Sequence, residues 1–116
     1  MPTFEVWDLV KVPFPYTNRP VQQRRPALVV AIPRATGGPP LLWVLMVTSA
    51  ANRGWPGDVG IIDPAAAGLP APSLVRTAKI ATIEGSDAEW LGKLPREDRT
   101  HIVEAMGSCL ADLLTD

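Results

Sequence analysis

The sequence predicts a mainly β protein, a small antiparallel barrel or sandwich that ends in one α-helix. Apolar residues recur with period two or run continuously in several segments before residue 95, as they do in strands. The 13 prolines and 9 glycines are many for a helical bundle and suit short strands joined by turns. A helical stripe of apolar residues is confined to the end of the chain, within residues 95–114. Because strands and helices do not alternate, a parallel sheet is not expected.

The strands follow one another with short connections. They are predicted at 4–14, 25–33, 41–48, 58–62 and 73–84, with a short sixth at 88–94. Asp8 interrupts the apolar face of the first strand, and Pro13 ends that strand because proline lacks the N–H that pairs in a sheet. The second and third strands are apolar on both faces, which is typical of strands covered on both sides. A polar loop at 15–24 and a turn at 35–40 precede them.

The helix is predicted over residues 95–114. Pro95 suits the first helical position, and Glu97 and Asp98 suit the positive end of the helix dipole. We expect its apolar stripe to be buried in the core and His101 to lie on the opposite, solvent-facing side. The stripe consists of Ile102, Val103, Met106, Cys109, Leu110, Leu113 and Leu114.

The 116 residues form one domain, 1–116, and the net charge of −1 excludes a bulk polycation. No apolar run is long enough to span a membrane, and no secretory signal opens the chain, so a cytoplasmic protein without a membrane part is expected. A single cysteine excludes an internal disulfide and a thiolate zinc site. Because no phosphate-binding loop, dinucleotide fingerprint or metal-ligand cluster is present, any reaction is expected to proceed without a nucleotide cofactor or a metal.

Charge is unevenly distributed along the chain. Residues 1–60 hold six basic groups against three acids, a net of +3, whereas residues 61–116 carry a net of −4. An arginine-rich first half with an acidic tail fits a localised site for an anionic ligand. The alternative explanation is that so few charged residues are distributed unevenly by chance.

Two candidate groups lie at predicted strand ends. Arg24 and Arg25 stand where the polar loop enters the second strand, and Pro26 favours an extended backbone at Arg25. A guanidinium at that rim matches phosphate oxygens in pairs, although a solvated arginine paired with a carboxylate is the alternative. Thr48 and Ser49 end the third strand and offer hydroxyl donors. If the second and third strands form a hairpin, Arg25 and Thr48 are neighbours.

Two further residues are candidates for binding an anionic ligand. Arg76, in the fifth strand, is either a second cation on the same groove or a water-facing strand residue. Trp55, in the loop after the third strand, either stacks on a base or covers the end of the sheet. Trp7, Trp43 and Trp90 lie in predicted strands and are expected in the core or an interface.

The ordered set of segments resembles the MazF/PemK-like toxins of type II toxin–antitoxin systems over nearly the whole chain. The opening Trp7-Asp8-Leu9-Val10-Lys11-Val12-Pro13-Phe14-Pro15 and the later Arg24-Arg25-Pro26-Ala27-Leu28-Val29-Val30 carry most of the resemblance. Val47-Thr48-Ser49, Ala67-Gly68-Leu69, Pro72-Ser73-Leu74-Val75-Arg76, Ile80-Ala81-Thr82-Ile83 and Leu91-Gly92-Lys93-Leu94 follow in the family's order. The resemblance implies an SH3-like barrel with a terminal helix, usually a homodimer.

The resemblance also implies an activity and partners. These toxins are metal-independent, sequence-selective endoribonucleases that cleave single-stranded RNA by attack of the 2′-hydroxyl, leaving a 2′,3′-cyclic phosphate and a 5′-hydroxyl. A cognate antitoxin covers the toxin groove with an acidic tail and binds DNA together with the toxin. Arg25 and Thr48 match the family's catalytic arginine and threonine, and Arg76 matches a position that is catalytic in the PemK/Kid branch. Arg24, Ser49, Arg76 and Trp55 are the expected RNA contacts.

Two departures from the family leave the general base open. Some members carry an acid where this chain has Ala78, and the histidine that some members use in the first loop has no counterpart here. A non-catalytic SH3-like toxin or binding module therefore stays an alternative, binding RNA or poisoning gyrase as the related CcdB toxins do. The Arg-Pro and Val-Thr-Ser segments argue against the gyrase version. A third possibility is a structural domain without toxicity.

Overall fold

The structure, a computed structural model, describes residues 3–13, 23–33, 38 and 40–115. It contains six strands and one α-helix: β1 Asp8–Pro13, β2 Arg24–Ala31, β3 Leu41–Ser49, β4 Asp58–Gly60, β5 Ser73–Glu84, β6 Glu89–Lys93 and α1 Arg96–Leu110. Short 3₁₀ helices follow β3 at Ala50–Asn52, β5 at Gly85–Asp87 and α1 at Ala111–Leu114. Most of the predicted loop 15–24, most of the turn 35–40, and Phe14 lie outside the described residues.

The six strands form one antiparallel sheet in the order β4-β5-β3-β2-β1-β6. This confirms the predicted fold class, a mainly β protein with a C-terminal helix. Among the described residues, β4 and β6 are the sheet's two edges and do not pair with each other, so hydrogen bonds do not close the sheet into a barrel.

The core lies on both faces of the central strands. Side chains along β1, β2 and β3 alternate between two clusters, so that Val10, Val29 and Val44 pack in one and Leu9, Leu28 and Leu45 in the other. All six are fully buried. The continuous apolar runs of the second and third strands predicted this double coverage, because a strand buried on both faces has no polar side.

β1 is shorter than predicted and begins at Asp8. Trp7 has φ of 81°, a left-handed conformation that a non-glycine residue rarely adopts and that no strand accommodates. The carboxylate of Asp8 is buried, accepts a hydrogen bond from the Glu5 amide at 2.7 Å and lies 3.5 Å from Lys93 Nζ. Asp8, which interrupts the apolar face of the predicted strand, is therefore the first residue of β1.

The prediction that the apolar stripe of the helix is buried was wrong for most of its members. Ile102 is buried and Met106 is partly buried, but Cys109 is exposed and Val103 is 58% exposed. The helix packs on β4 and β5, but its later residues Met106, Gly107 and Leu110 border an open cleft against the sheet, so part of the stripe stays exposed. His101 is exposed, as predicted. No helix in the described part of the chain is long and apolar enough to cross a membrane.

Two tryptophans are not core residues. Trp43 is 45% exposed and Trp90 is 57% exposed, although both lie within strands. Trp7 is partly covered, with the Arg99 guanidinium 5.4 Å from its ring centroid.

Candidate active site

The ends of β2 and β3 bring the two main candidate residues to one pocket. The hairpin register pairs Ala27 with Met46 and Leu28 with Leu45, and its continuation sets Arg25 opposite Thr48. Both residues line a pocket of about 170 Å³, here called the strand-end pocket. Its walls are Arg25, Pro26, Val47, Thr48, Ser49, Leu69, Pro70, Ala71, Pro72 and Ser73.

A larger depression of about 650 Å³, here called the cationic hollow, adjoins this pocket. It is lined by Lys11, Gln23, Arg24, Arg25, Pro26, Gly68, Pro70 and Leu91, and it shares Arg25, Pro26 and Pro70 with the strand-end pocket. Three of its residues are cations and none is an acid. The continuous surface of the two depressions therefore favours an anionic ligand.

The arginines of the cationic hollow are held without being neutralised. Arg24 donates from Nη2 to the carbonyl oxygens of Lys11 at 3.1 Å and Asp87 at 3.2 Å. Arg25 donates from Nη2 to Gln23 Oε1 at 3.0 Å. Neither arginine forms an ion pair with any residue that the structure describes. Arg25 therefore does not match the alternative expectation of a solvated arginine paired with a carboxylate.

One wall of the cationic hollow depends on a close backbone approach. Gly68 has φ of 85°, and a side chain there would collide with the carbonyl of Leu91. Gly92, on the opposing segment, is equally close to the carbonyl of Ala67. Only glycine allows this contact, which places Pro70 and Leu91 on the same wall.

The hydroxyl groups of Thr48 and Ser49, at the end of β3, differ in their burial and in their hydrogen-bond partners. Thr48 is buried, and its Oγ1 accepts a hydrogen bond from Asn52 Nδ2 at 2.9 Å. Ser49 is exposed, and its Oγ accepts from the Ala51 amide at 3.2 Å, capping the short 3₁₀ helix. The Thr48 hydroxyl donates to none of the described residues, so its hydrogen is available to a ligand in the pocket.

Arg76 lies beneath the loop after β3 and lines neither depression. It is buried and donates from Nε and Nη2 to the two carboxylate oxygens of Asp58, at 3.2 and 3.1 Å. A further bond runs from Nη2 to the carbonyl of Asn52 at 2.6 Å. The Nε and Nη2 donors of Arg76 are therefore bonded to protein acceptors. Direct contact of Arg76 with RNA stays a prediction.

The carboxylate of Asp58 is the centre of this loop. Burial by itself would raise its pKa, but the hydrogen bond from Arg76, the amides of Trp55 and Gly54, and the charge of Arg76 together lower the pKa below its usual value. The carboxylate is therefore ionised at neutral pH and ties the loop to β5.

Trp55 contacts two cations and is still about half exposed. Its ring centroid lies 4.4 Å from the Arg76 guanidinium carbon and 5.9 Å from Lys79 Nζ. The side chain is still 47% exposed, which leaves aromatic surface for a stacking partner. No group of three or more histidine, cysteine, aspartate or glutamate side chains placed to hold a metal ion occurs within the described ranges.

Sequence reasoning missed two residues of the site. Lys11 lies opposite Pro26 across β1 and β2 and supplies the third cation of the hollow. A lysine within the apolar segment Leu9–Val12 was the available sequence signal, and the structure shows it exposed. Asn52 had no such signal, since its contact with Thr48 depends on the turn of the 3₁₀ helix between them.

The fold and this site define a small antiparallel β-protein with a cationic pocket at its strand ends. The chain belongs to the family described as the PemK-like, MazF-like toxin of type II toxin–antitoxin systems, whose model matches residues 5–110. The resemblance stated from the sequence is thereby confirmed. No curated protein matches the chain.

Solved structures share the fold. A MazE–MazF complex from Deinococcus radiodurans is 25% identical, with 91% of this chain and 93% of that chain covered and a TM-score of 0.64. MazF from the same organism is 24% identical, with 92% and 96% covered and a TM-score of 0.66. An endoribonuclease in complex with its cognate antitoxin, from a mycobacterial species, is 17% identical, with 94% and 96% covered and a TM-score of 0.69. The last two similarities concern the fold alone.

Proposed function

We propose that this protein is the toxin of a cytoplasmic toxin–antitoxin pair and a metal-independent endoribonuclease that cleaves single-stranded RNA selectively by sequence. The observation that carries the proposal is the meeting of Arg25 and Thr48 at one pocket that opens onto cations without ion pairs among the described residues. Family membership supports the same activity, since MazF and PemK toxins are known as endoribonucleases. A single strand suits the site because its backbone is flexible enough for in-line attack.

In the proposed reaction the substrate supplies its own nucleophile. The 2′-hydroxyl oxygen forms a bond to the adjacent phosphorus as its proton leaves, and the bond from phosphorus to the 5′-oxygen breaks. The leaving oxygen takes a proton, so the products carry a 2′,3′-cyclic phosphate and a 5′-hydroxyl. Arg25 stabilises the extra negative charge that develops on the phosphorane, and Thr48 donates a hydrogen bond to a phosphate oxygen. Fixed donors aimed at developing charge contribute about 3 kcal/mol each.

Neighbouring cations extend the proposed RNA track. Arg24 and Lys11 lie in the cationic hollow beside Arg25, where they suit the phosphates that flank the scissile one. Ser49 lies at the strand-end pocket, and Trp55 offers an open ring face for a base. Because the contacts are to phosphates, RNA affinity falls as the salt concentration rises.

The decisive measurement is product analysis after the purified protein has been incubated with a long single-stranded RNA in EDTA. We expect cleavage at a restricted set of sequences, with 2′,3′-cyclic phosphate and 5′-hydroxyl ends. Denatured protein in the same buffer is the control for contaminating nucleases. Intact RNA after incubation with folded, antitoxin-free protein would contradict the proposal.

We also propose a cognate antitoxin as partner. Solved relatives are a MazE–MazF complex and an endoribonuclease with its antitoxin, and the cationic hollow here matches an acidic peptide tail as well as it matches RNA. The tail and the RNA would then compete for Lys11, Arg24 and Arg25, so antitoxin binding would inhibit cleavage. DNA binding by the toxin–antitoxin pair is part of the same proposal.

A homodimer is proposed from the exposed apolar surface of the helix and sheet. A cleft of about 410 Å³ is lined almost entirely by apolar side chains from both elements: Trp7, Val30, Ala31, Trp43, Ile80, Ile102, Val103, Met106, Gly107 and Leu110. Four of these side chains, Trp43, Ile80, Val103 and Leu110, are 45–58% exposed, which suits a symmetric contact between two copies. This burial would also account for the apolar stripe that the monomer leaves exposed.

Val103→Asp is expected to convert a dimer into a folded monomer. Val103 is exposed in the monomer, so a carboxylate there costs little in the isolated chain but would be desolvated in an apolar interface. Light scattering coupled to size-exclusion chromatography reports the mass, and circular dichroism reports the fold. Thr100→Asp, an added charge on the same helix outside the cleft, is the matched control. A Val103→Asp protein that stays dimeric would refute this interface.

The non-catalytic alternative has one feature in its favour. Ala78, exposed in β5, stands where some family members carry an acid, and neither depression is lined by a carboxylate or an imidazole. Growth arrest on expression that is unaffected by Arg25→Ala would favour a binding module over the endoribonuclease.

A further inference from the structure

We infer that Asn52 is a positioning residue for the proposed cleavage, because its side-chain amide aims the Thr48 hydroxyl hydrogen at the phosphate. Arg76 and Asp58 hold Asn52 in place from below. The inference rests on the proposed function and adds to it a residue that contacts Thr48.

The first step of the argument concerns the Thr48 hydroxyl. A hydroxyl group has one hydrogen and two lone pairs. In this structure Asn52 Nδ2 donates to Oγ1 at 2.9 Å and so occupies one lone pair. The hydrogen then points away from the amide, and none of the described residues accepts it. Thr48 lines the strand-end pocket, so the hydrogen is free to reach a ligand there.

The second step concerns how Asn52 is held. Asn52 is exposed, so hydrogen bonds rather than packing determine its position. Its backbone carbonyl accepts from Arg76 Nη2 at 2.6 Å, and Arg76 is itself clamped by both oxygens of Asp58. The resulting chain of contacts runs from Asp58 through Arg76 and Asn52 to Thr48.

This chain gives Arg76 a role that needs no contact with RNA. Arg76 is buried and lines neither the strand-end pocket nor the cationic hollow. Its guanidinium instead keeps the residues after β3 in the turn that returns the Asn52 amide to Thr48. Because the effect passes through two other residues, Arg76 is a positioning residue here.

The test is Asn52→Asp, which keeps the side-chain size and replaces the donor by acceptors. The Thr48 hydroxyl then donates to the new carboxylate and is lost to the phosphate. We expect the single-turnover cleavage rate to fall about 30- to 100-fold, in line with the loss of one fixed donor. Asn52→Ala removes the orienting bond but leaves the hydroxyl free, so its rate is expected to fall only about 3- to 10-fold.

Three comparisons separate this role from a structural or purely electrostatic one. Ala51→Asp adds the same charge one residue away at an exposed position, and its rate is expected to stay within about threefold of wild type. In a Thr48→Val background, Asn52→Asp is expected to lower the rate by less than about twofold, because no hydroxyl remains to be misdirected. Binding of an RNA with a 2′-deoxy group at the scissile position reports affinity separately from chemistry.

Three outcomes would overturn the inference. Asn52→Asp and Ala51→Asp cleaving at equal rates would show a charge effect only. An undiminished effect of Asn52→Asp in the Thr48→Val background would show a role independent of the hydroxyl. In both cases the wild-type protein still cleaves, so the proposed function stands. A wild-type protein that leaves RNA intact would overturn the proposed function, and this inference with it.

Discussion

Arg25→Ala is expected to reduce the cleavage of single-stranded RNA by at least about 100-fold. The Arg25 guanidinium lines both the strand-end pocket and the cationic hollow, and it forms no ion pair with any described residue. Its removal takes away the cation that lines the same pocket as Thr48, where negative charge develops in the proposed transition state. The rate is measured with a short labelled RNA in single-turnover conditions with EDTA present.

The fold should survive this substitution. Arg25 is only half-buried, and its one side-chain hydrogen bond to a described residue runs to the exposed Gln23. Arg96→Ala removes the same charge at an exposed position on the helix and is the matched control, with a rate close to wild type. An Arg25→Ala protein that is folded and cleaves like the Arg96→Ala protein would exclude Arg25 from the chemistry.

Arg76→Met is expected to lower the free energy of unfolding by about 3–5 kcal/mol at pH 7, because it leaves the Asp58 carboxylate buried without its partner. The two side chains are only 9% and 10% exposed, so water compensates little. The loop that carries Asn52 and Trp55 loses its contacts with Arg76 at the same time. Urea denaturation at pH 7 measures the loss.

The effect of Arg76→Met should depend on pH in a defined direction. The folded pKa of Asp58 lies below its ordinary value of 3.8. The stability supplied by the pair is therefore fully present above that ordinary value and is lost as the pH falls through the lower, folded pKa. We expect the difference between wild type and Arg76→Met to shrink as the pH falls below 3.8, through the lowered pKa of Asp58.

Two controls accompany this measurement. Asp58→Asn with Arg76→Met removes both charges and should recover part of the lost stability, because no buried charge is left unpaired. Glu5→Gln breaks the exposed pair with Lys93, leaves Lys93 beside the buried Asp8, and should change stability little because water screens both charges. Equal losses in Arg76→Met and Glu5→Gln would show that burial of the Asp58–Arg76 pair adds nothing.

Sequence periodicity predicted the strands well because burial imposes a local pattern. β5 has the predicted bounds, and β3 extends one residue beyond its predicted end. The start of β1 was missed because Trp7 adopts a positive φ that no pattern of hydrophobicity records. Burial of Cys109 was predicted wrongly since periodicity shows which residues share a helix face but not how far the sheet extends beneath it.

The candidate site likewise has a part that local sequence predicts and a part that depends on tertiary pairing. Arg25 and Thr48 could be selected from the sequence because each stands where an apolar strand meets a polar segment, a boundary visible in the residues themselves. Arg25 and Thr48 share one pocket only because of the hairpin register between β2 and β3. Arg76 is buried beside an acceptor only because the pairing of β4 with β5 places Asp58 opposite it. Neither relation is local in the chain.

The amino-acid sequence by itself determined the fold class, the family and the two residues on which the proposed chemistry depends, since these follow from local patterns and ordered segments. The tertiary structure alone decided which cations stay unpaired, where Arg76 points and which amide orients Thr48. The pairing of the cations and of Arg76 depends on which groups meet across strands far apart in the chain, and the Asn52–Thr48 bond depends on the exact turn of the 3₁₀ helix between them. Hydrogen-bond geometry of either kind leaves no trace in residue order.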